Sequence, residues 1–219
     1  MSVARHLEND AEVCEPRDSY ENIPAFPARP KERLKMRVIA SRYSFYGTDR
    51  HRTALSSRFG TLWTAVHKIT SGITAVQPTG ATLWMPFRLS HLTRAYAELG
   101  QFDDAWRCID EALTAMETTK EKWSEAEVHR TAGEIALKLP EPDAVRSEAY
   151  FERALTVARQ QQAKSWELRA SMSLARLWHD HGKAQQAREL LAPVYEWFTE
   201  GFDTRDLMEA KALLQELAA

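Results

Sequence analysis

Two imidazoles and a carboxylate stand together in His179-Asp180-His181, and all three groups are competent metal ligands. The spacing opposes that use, because adjacent residues on a helix point to different faces whereas a helical zinc pair needs residues three or four apart. A polar helix end is the reading the triplet supports. Phosphate chemistry fares no better. A phosphate-cradling loop needs the pattern G-x-x-x-x-G-K-[ST], so that backbone N–H groups surround the phosphates. The nearest approach, Gly182-Lys183, has Leu177 in place of the first glycine and Ala184 in place of the hydroxyl. Cys108 lies beside an apolar helical stripe, which predicts a buried small hydrophobe and not a nucleophile. Cys14 is far from it in the chain, so neither a disulfide framework nor a metal cluster is indicated. The sequence thus predicts no catalytic residue, no cofactor and no metal: this chain is expected not to be an enzyme.

Bulk properties narrow the alternatives. The 219 residues are 44% hydrophobic, ample for a continuous core. A net charge of -2 and a pI near 6.4 supply no basic footprint for nucleic acid. The basic stretch from Arg29 to Arg42 contains Glu32 and is expected to be a solvated face, not a lipid or nucleic-acid contact. No apolar run is long enough for a membrane span and the N-terminus has no signal-peptide core, so a cytoplasmic protein without membrane contact is expected.

The positioning elements read as helices. Residues 1–54 form an N-terminal arm, polar and interrupted by Pro16, Pro24, Pro27 and Pro30, with a short basic helix over Lys31 to Tyr46. The pattern predicts a helix from Leu55 to Val76, with Leu62, Val66, Ile69 and Ile73 on one stripe, and a break at Gln77-Pro78-Thr79-Gly80. Residues 55–219 then make a repeat domain. Trp84, Trp123 and Trp166 each open a helical stretch, and Gly100 and Ala105 follow Trp84 at the same offsets as Gly182 and Ala187 follow Trp166. Fixed-period self-similarity of this kind means stacked helix hairpins. Glycine ends the first helix of the outer two pairs, and Pro140-Glu141-Pro142 turns the middle one. One tryptophan per unit is what packing between units requires, with a ligand platform as the alternative. Pro193 lies inside the last return helix and should bend or split it. Asp203 to Leu217 reads as a closing helix with a polar outer face.

The order Leu92, Tyr96, Gly100, Ala105, Ile109 and Ala112, echoed by Leu174, Ala175, Trp178, Gly182, Ala187 and Leu191, resembles tetratricopeptide repeats. In the middle unit Gly133, Phe151 and Ala154 fit, while Ser147 replaces the usual alanine; in the third, Val194 stands where the closing alanine is expected. The expected fold is therefore all-α, a tetratricopeptide-like α-solenoid of antiparallel hairpins with a C-terminal capping helix. Over about residues 65–218, the runs TGATLWMPF, AYAELGQFDDAWRCIDEAL, AEVHRTAGEIAL and YFERALTVARQQQAKSWELRASMSLARLW resemble the C-terminal helical-repeat region of large bacterial regulators. In those, a class III adenylate or guanylate cyclase domain precedes a predicted P-loop ATPase and then the repeats. Residues 1–55 match nothing in that family.

The tetratricopeptide resemblance implies a concave face lined by fixed positions of each first helix. Here these are Phe87, Ser90 and Arg94, then Glu127, Arg130 and Glu134, then Arg169, Met172 and Arg176. Four arginines on one surface would suit an acidic protein or peptide partner through bidentate contacts. The alternative is that Glu98, Glu127 and Glu134 neutralise them. The chaperone-tail clamp of some tetratricopeptide proteins needs asparagines, and Asn9 and Asn22 lie outside the repeats. A protein-interaction or regulatory scaffold is expected; a regulatory helical domain or truncated remnant of a cyclase and ATPase signalling protein is the alternative.

Overall fold

The computed structural model describes residues 49–80, 82 and 84–218, and the predicted helix over Lys31 to Tyr46 lies outside them. The chain divides into two compact units, Met1–Arg52 and Thr53–Ala219. Among the described residues the structure is all-helical, without a strand: α1 (Asp49–Val76), α2 (Met85–Glu98), α3 (Phe102–Thr119), α4 (Glu125–Lys138), α5 (Ala144–Gln160), α6 (Lys164–Asp180), α7 (Ala184–Glu196) and α8 (Arg205–Glu216). A short 3-10 turn, Gln77–Thr79, follows α1. That helix begins six residues before the expected Leu55, since no glycine or proline interrupts the intervening sequence.

Glycine placement explains two of the turns. Gly100 and Gly182 take positive φ of 71° and 74°, the left-handed conformation that is cheapest without a Cβ. In both, the next N–H closes the helix end: Gln101 donates to the Tyr96 carbonyl at 2.9 Å and Lys183 to that of Trp178 at 2.8 Å. The turn from α5 to α6 has the same bond, Ala163 to Ala158 at 2.9 Å, but places Gln162 at φ 54°. Asp143 caps α5, accepting from the Arg146 N–H at 2.9 Å.

Helices α2, α4, α6 and α8 pack successively against one another, while α3, α5 and α7 each pack against the helix before and the helix after them in the chain. The first four form a layer and are called first helices below. Burial follows the periodic positions: Leu89 and Leu92 of α2 join Ile109, Ala112 and Met116 of α3 with Val66 and Ile73 of α1. Leu168 and Met172 of α6 join Leu191 of α7 and Leu207, Ala210 and Leu213 of α8.

The tightest approach is between α4 and α5. A Cβ built on Gly133 would lie 2.5 Å from a ring carbon of Phe151, whose side chain is 1% exposed. Ser147, fully buried, donates to the Gly133 carbonyl at 2.9 Å, so the hydroxyl that breaks the alanine pattern latches the same junction. Pro193 sits inside a single helix and does not split it. The i−4 carbonyl that it deprives of a partner belongs to Glu189, which is exposed to water.

Candidate interaction surface

The first helices bring the predicted arginines together, and each meets a carboxylate of the same chain. Glu127 is the hub at the α2–α4 junction, with a side chain only 2% exposed. It accepts from Arg94 of α2 and from Arg130, whose Nε and Nη2 each lie 2.8 Å from one of its oxygens. Arg130 also donates to Glu134 on its own helix and to Ser173 Oγ of α6 at 3.2 Å. Arg94 Nε is 3.8 Å from Glu134. At the next junction Arg169 Nε lies 2.6 Å from Asp206 of α8, and Arg176 lies 3.3 Å from Glu209, which Arg205 also engages at 2.7 Å. Glu98 pairs instead with Lys138.

This electrostatic lacing sets the protonation states. Burial would push the Glu127 carboxyl up, but hydrogen bonding and charge from Arg130, reinforced by Arg94, outweigh it and hold the group below its ordinary range. Burial likewise opposes the charge on Arg130, and Glu127 with Glu134 more than restores it. Partial burial of its ring, and then the positive charge of Arg94, lower the pKa of His91 from its ordinary value. The Arg130–Glu127 pair, 11% and 2% exposed, is satisfied within the chain, whereas Arg169 and Arg176 keep 36% and 47% of their side chains exposed. Among the nine residues expected on the face, Met172 requires correction: it is 3% exposed and packs in the core, because α8 covers it. Ser90 is also fully buried, donating to the Phe87 carbonyl at 2.7 Å.

Aromatic rings gather where the first helices begin. Trp84 contacts Trp123 edge-to-face at 4.7 Å between ring centroids, and Phe87 lies 5.2 Å from Trp123, 6.2 Å from Trp84 and 6.5 Å from Trp166. The three tryptophans therefore pack between successive helix pairs, as expected, yet Trp84 stays 47% exposed. Glu121 organises this shelf. One of its oxygens accepts from both the Trp123 indole and the Trp84 backbone N–H, each at 2.8 Å, and Trp84 is held at φ 68°. Arg169 stands over the Trp166 ring at 5.0 Å.

Other candidates end elsewhere. His179 and Asp180 finish α6, and His181 Nδ1 lies 2.7 Å from the Leu177 carbonyl; among the described residues no group of three or more His, Cys, Asp or Glu is arranged to hold a metal ion. Cys108 is 2% exposed, and burial pushes its thiol up to about 12. No helix among the described residues is long and apolar enough to cross a membrane. Reasoning from sequence missed Glu121, Asp206 and Glu209 as partners, while it offered Glu127 as a neutralising acid of the face. The chain matches no family model and no curated protein.

Proposed function

We propose that this chain is a non-enzymatic protein-interaction or regulatory scaffold, a stack of tetratricopeptide-like hairpins closed by α8. The observation that carries the reading is the continuous layer of first helices, whose arginines at 94, 130, 169 and 176 pair with carboxylates of the same chain while Trp84 stays at its surface. Catalytic sites use perturbed groups in a cleft; here the perturbed Glu127 and Arg130 are locked to each other between helices. Partner recognition by the layer draws on the shelf more than on charge, since Arg94, Arg130, Arg169 and Arg176 already face carboxylates.

The test is affinity capture by the tagged full chain from cells that carry the gene, washed at low and then moderate salt. A discrete protein retained in near-stoichiometric amount, and retained at moderate salt, is expected. A chain that retains nothing, or whose partner leaves as soon as salt is raised, contradicts the reading.

A further inference from the structure

We propose that His129 makes the junction between α4 and α5 an acid-sensitive joint: when its ring takes up a proton, the contact between the two helices loosens. The inference does not depend on which partner the scaffold binds; it concerns how the stack answers to pH.

The ring is built into the joint. It stands on α4 with a side chain 12% exposed and lies nearly parallel to the Tyr150 ring of α5, at 26° between planes and 6.3 Å between centroids. Tyr150 continues to Trp106 of α3 at 5.8 Å. Arg146 of α5 lays its guanidinium over both rings, 3.8 Å from Trp106 and 5.7 Å from Tyr150. Three helices therefore meet through one run of rings, with His129 at its α4 end.

The two nitrogens of His129 have unequal surroundings. Nε2 faces the Glu125 carboxylate, one turn earlier on α4, at 3.8 Å. Nδ1 is buried and has no hydrogen-bond partner among the described residues. The neutral ring suits both conditions by carrying its one proton on Nε2 and leaving Nδ1 a lone pair. A second proton has to go to Nδ1, where it makes a charged N–H donor without an acceptor, the costly way to bury a polar group. Glu125 attracts that charge, but it is already shared with Arg153 of α5 at 3.4 Å and Lys122 at 3.9 Å. Arg153 repels an imidazolium, and Arg146 already stands over the Tyr150 ring. Helices α2 and α6 meet α4 elsewhere, through Glu127 and Arg130. Burial, the largest influence, and Arg153 outweigh Glu125, so His129 titrates below its ordinary value.

A histidine whose folded pKa lies below its unfolded one stabilises the fold while it is neutral. That contribution is complete above the unfolded value of about 6.5 and is lost as pH falls toward the folded one. Each unit between the two is a tenfold loss. Opening the joint hydrates Nδ1, so acid favours the local opening that exposes this ring. The window lies above the ordinary carboxylate range of about 4, which separates it from acid effects on the ion pairs.

Hydrogen exchange of the full chain at about pH 7.5 and about pH 5, corrected for intrinsic rates, reads the joint amide by amide. Protection over residues 147–155 of α5 should fall at the lower pH by at least about threefold, while the amides of α7 keep theirs. His129→Gln, neutral at every pH, should abolish the fall. Independently, the His129 ring proton followed by NMR in the unmodified chain should titrate with a midpoint below about 6.5. A midpoint at or above that value, a loss of protection shared equally by α7, or a loss undiminished in His129→Gln overturns the proposal. If the variant does not fold, the midpoint and the comparison of α5 with α7 decide it.

Discussion

Arg130→Met tests whether the arginines of the first-helix layer hold the stack together. Arg130 is 11% exposed and Glu127 2%, so the pair is dry enough for its loss to register in stability. The substitution keeps the aliphatic stem and removes two hydrogen bonds of 2.8 Å to Glu127, the contact with Glu134 and the 3.2 Å reach to Ser173. Stranding one partner of a buried pair costs about 3–5 kcal/mol. Arg94 continues to pair with Glu127, which lowers the expected loss to about 2–3 kcal/mol. With a urea slope of about 1–3 kcal/mol per molar, the midpoint should fall by about 1 M at unchanged slope. Adding Glu127→Gln to Arg130→Met removes the stranded charge and should recover a large part of the loss, a coupling that a double-mutant cycle measures. A midpoint shift below about 0.3 M for Arg130→Met, with the slope constant, would refute the reasoning.

Acid should destabilise the protein through the same carboxylate. The folded-state pKa of Glu127 is depressed, so its contribution is complete above the ordinary glutamate value of about 4.3 and is lost as pH falls below it; urea midpoints measured across that window should fall less steeply in Glu127→Gln. Gly133→Ala gains about 1 kcal/mol of helix propensity but drives a methyl into Phe151, so a net loss of about 1–2 kcal/mol is expected. Gly72→Ala, with nothing within 4 Å, should stabilise, and equal effects of the two in thermal melts would contradict the packing. Leu174→Ala, at 1% exposure, should cost about 2–5 kcal/mol in chemical denaturation. Gln162→Gly relieves a positive φ of 54° and should raise the melting temperature, by an amount equivalent to about 1 kcal/mol.

Helix positions were legible because the signals are local. Glycine at 100 and 182 and prolines at 140 and 142 stop helices by their own backbone restrictions, and the apolar stripe of Leu89 and Leu92 needs no partner to be seen. The surface was legible only in part, because its character depends on contacts between helices. Arg94 meets Glu127 and Arg169 meets Asp206 across junctions more than thirty residues long in sequence, so composition showed the charges and not their pairing. Met172 was expected to be accessible, but the fourth first helix, α8, closes over it. Ser147 departs from the alanine pattern; its role as a latch depends on the Gly133 carbonyl, which the close approach of α4 and α5 brings within reach. Trp84 in a left-handed conformation had no local signal at all, since the carboxylate that accepts its N–H comes from Glu121.

The first-helix layer as the working face can be tested by placing a photo-crosslinking benzoylphenylalanine at one of two exposed positions in the full chain. His91 stands on α2, with its ring 4.6 Å from Phe87, and Arg188 is exposed on α7, outside the layer. On irradiation in cells that carry the gene, position 91 should give a discrete adduct with a partner protein and position 188 should give none. An adduct formed at 188 and not at 91 would contradict the account.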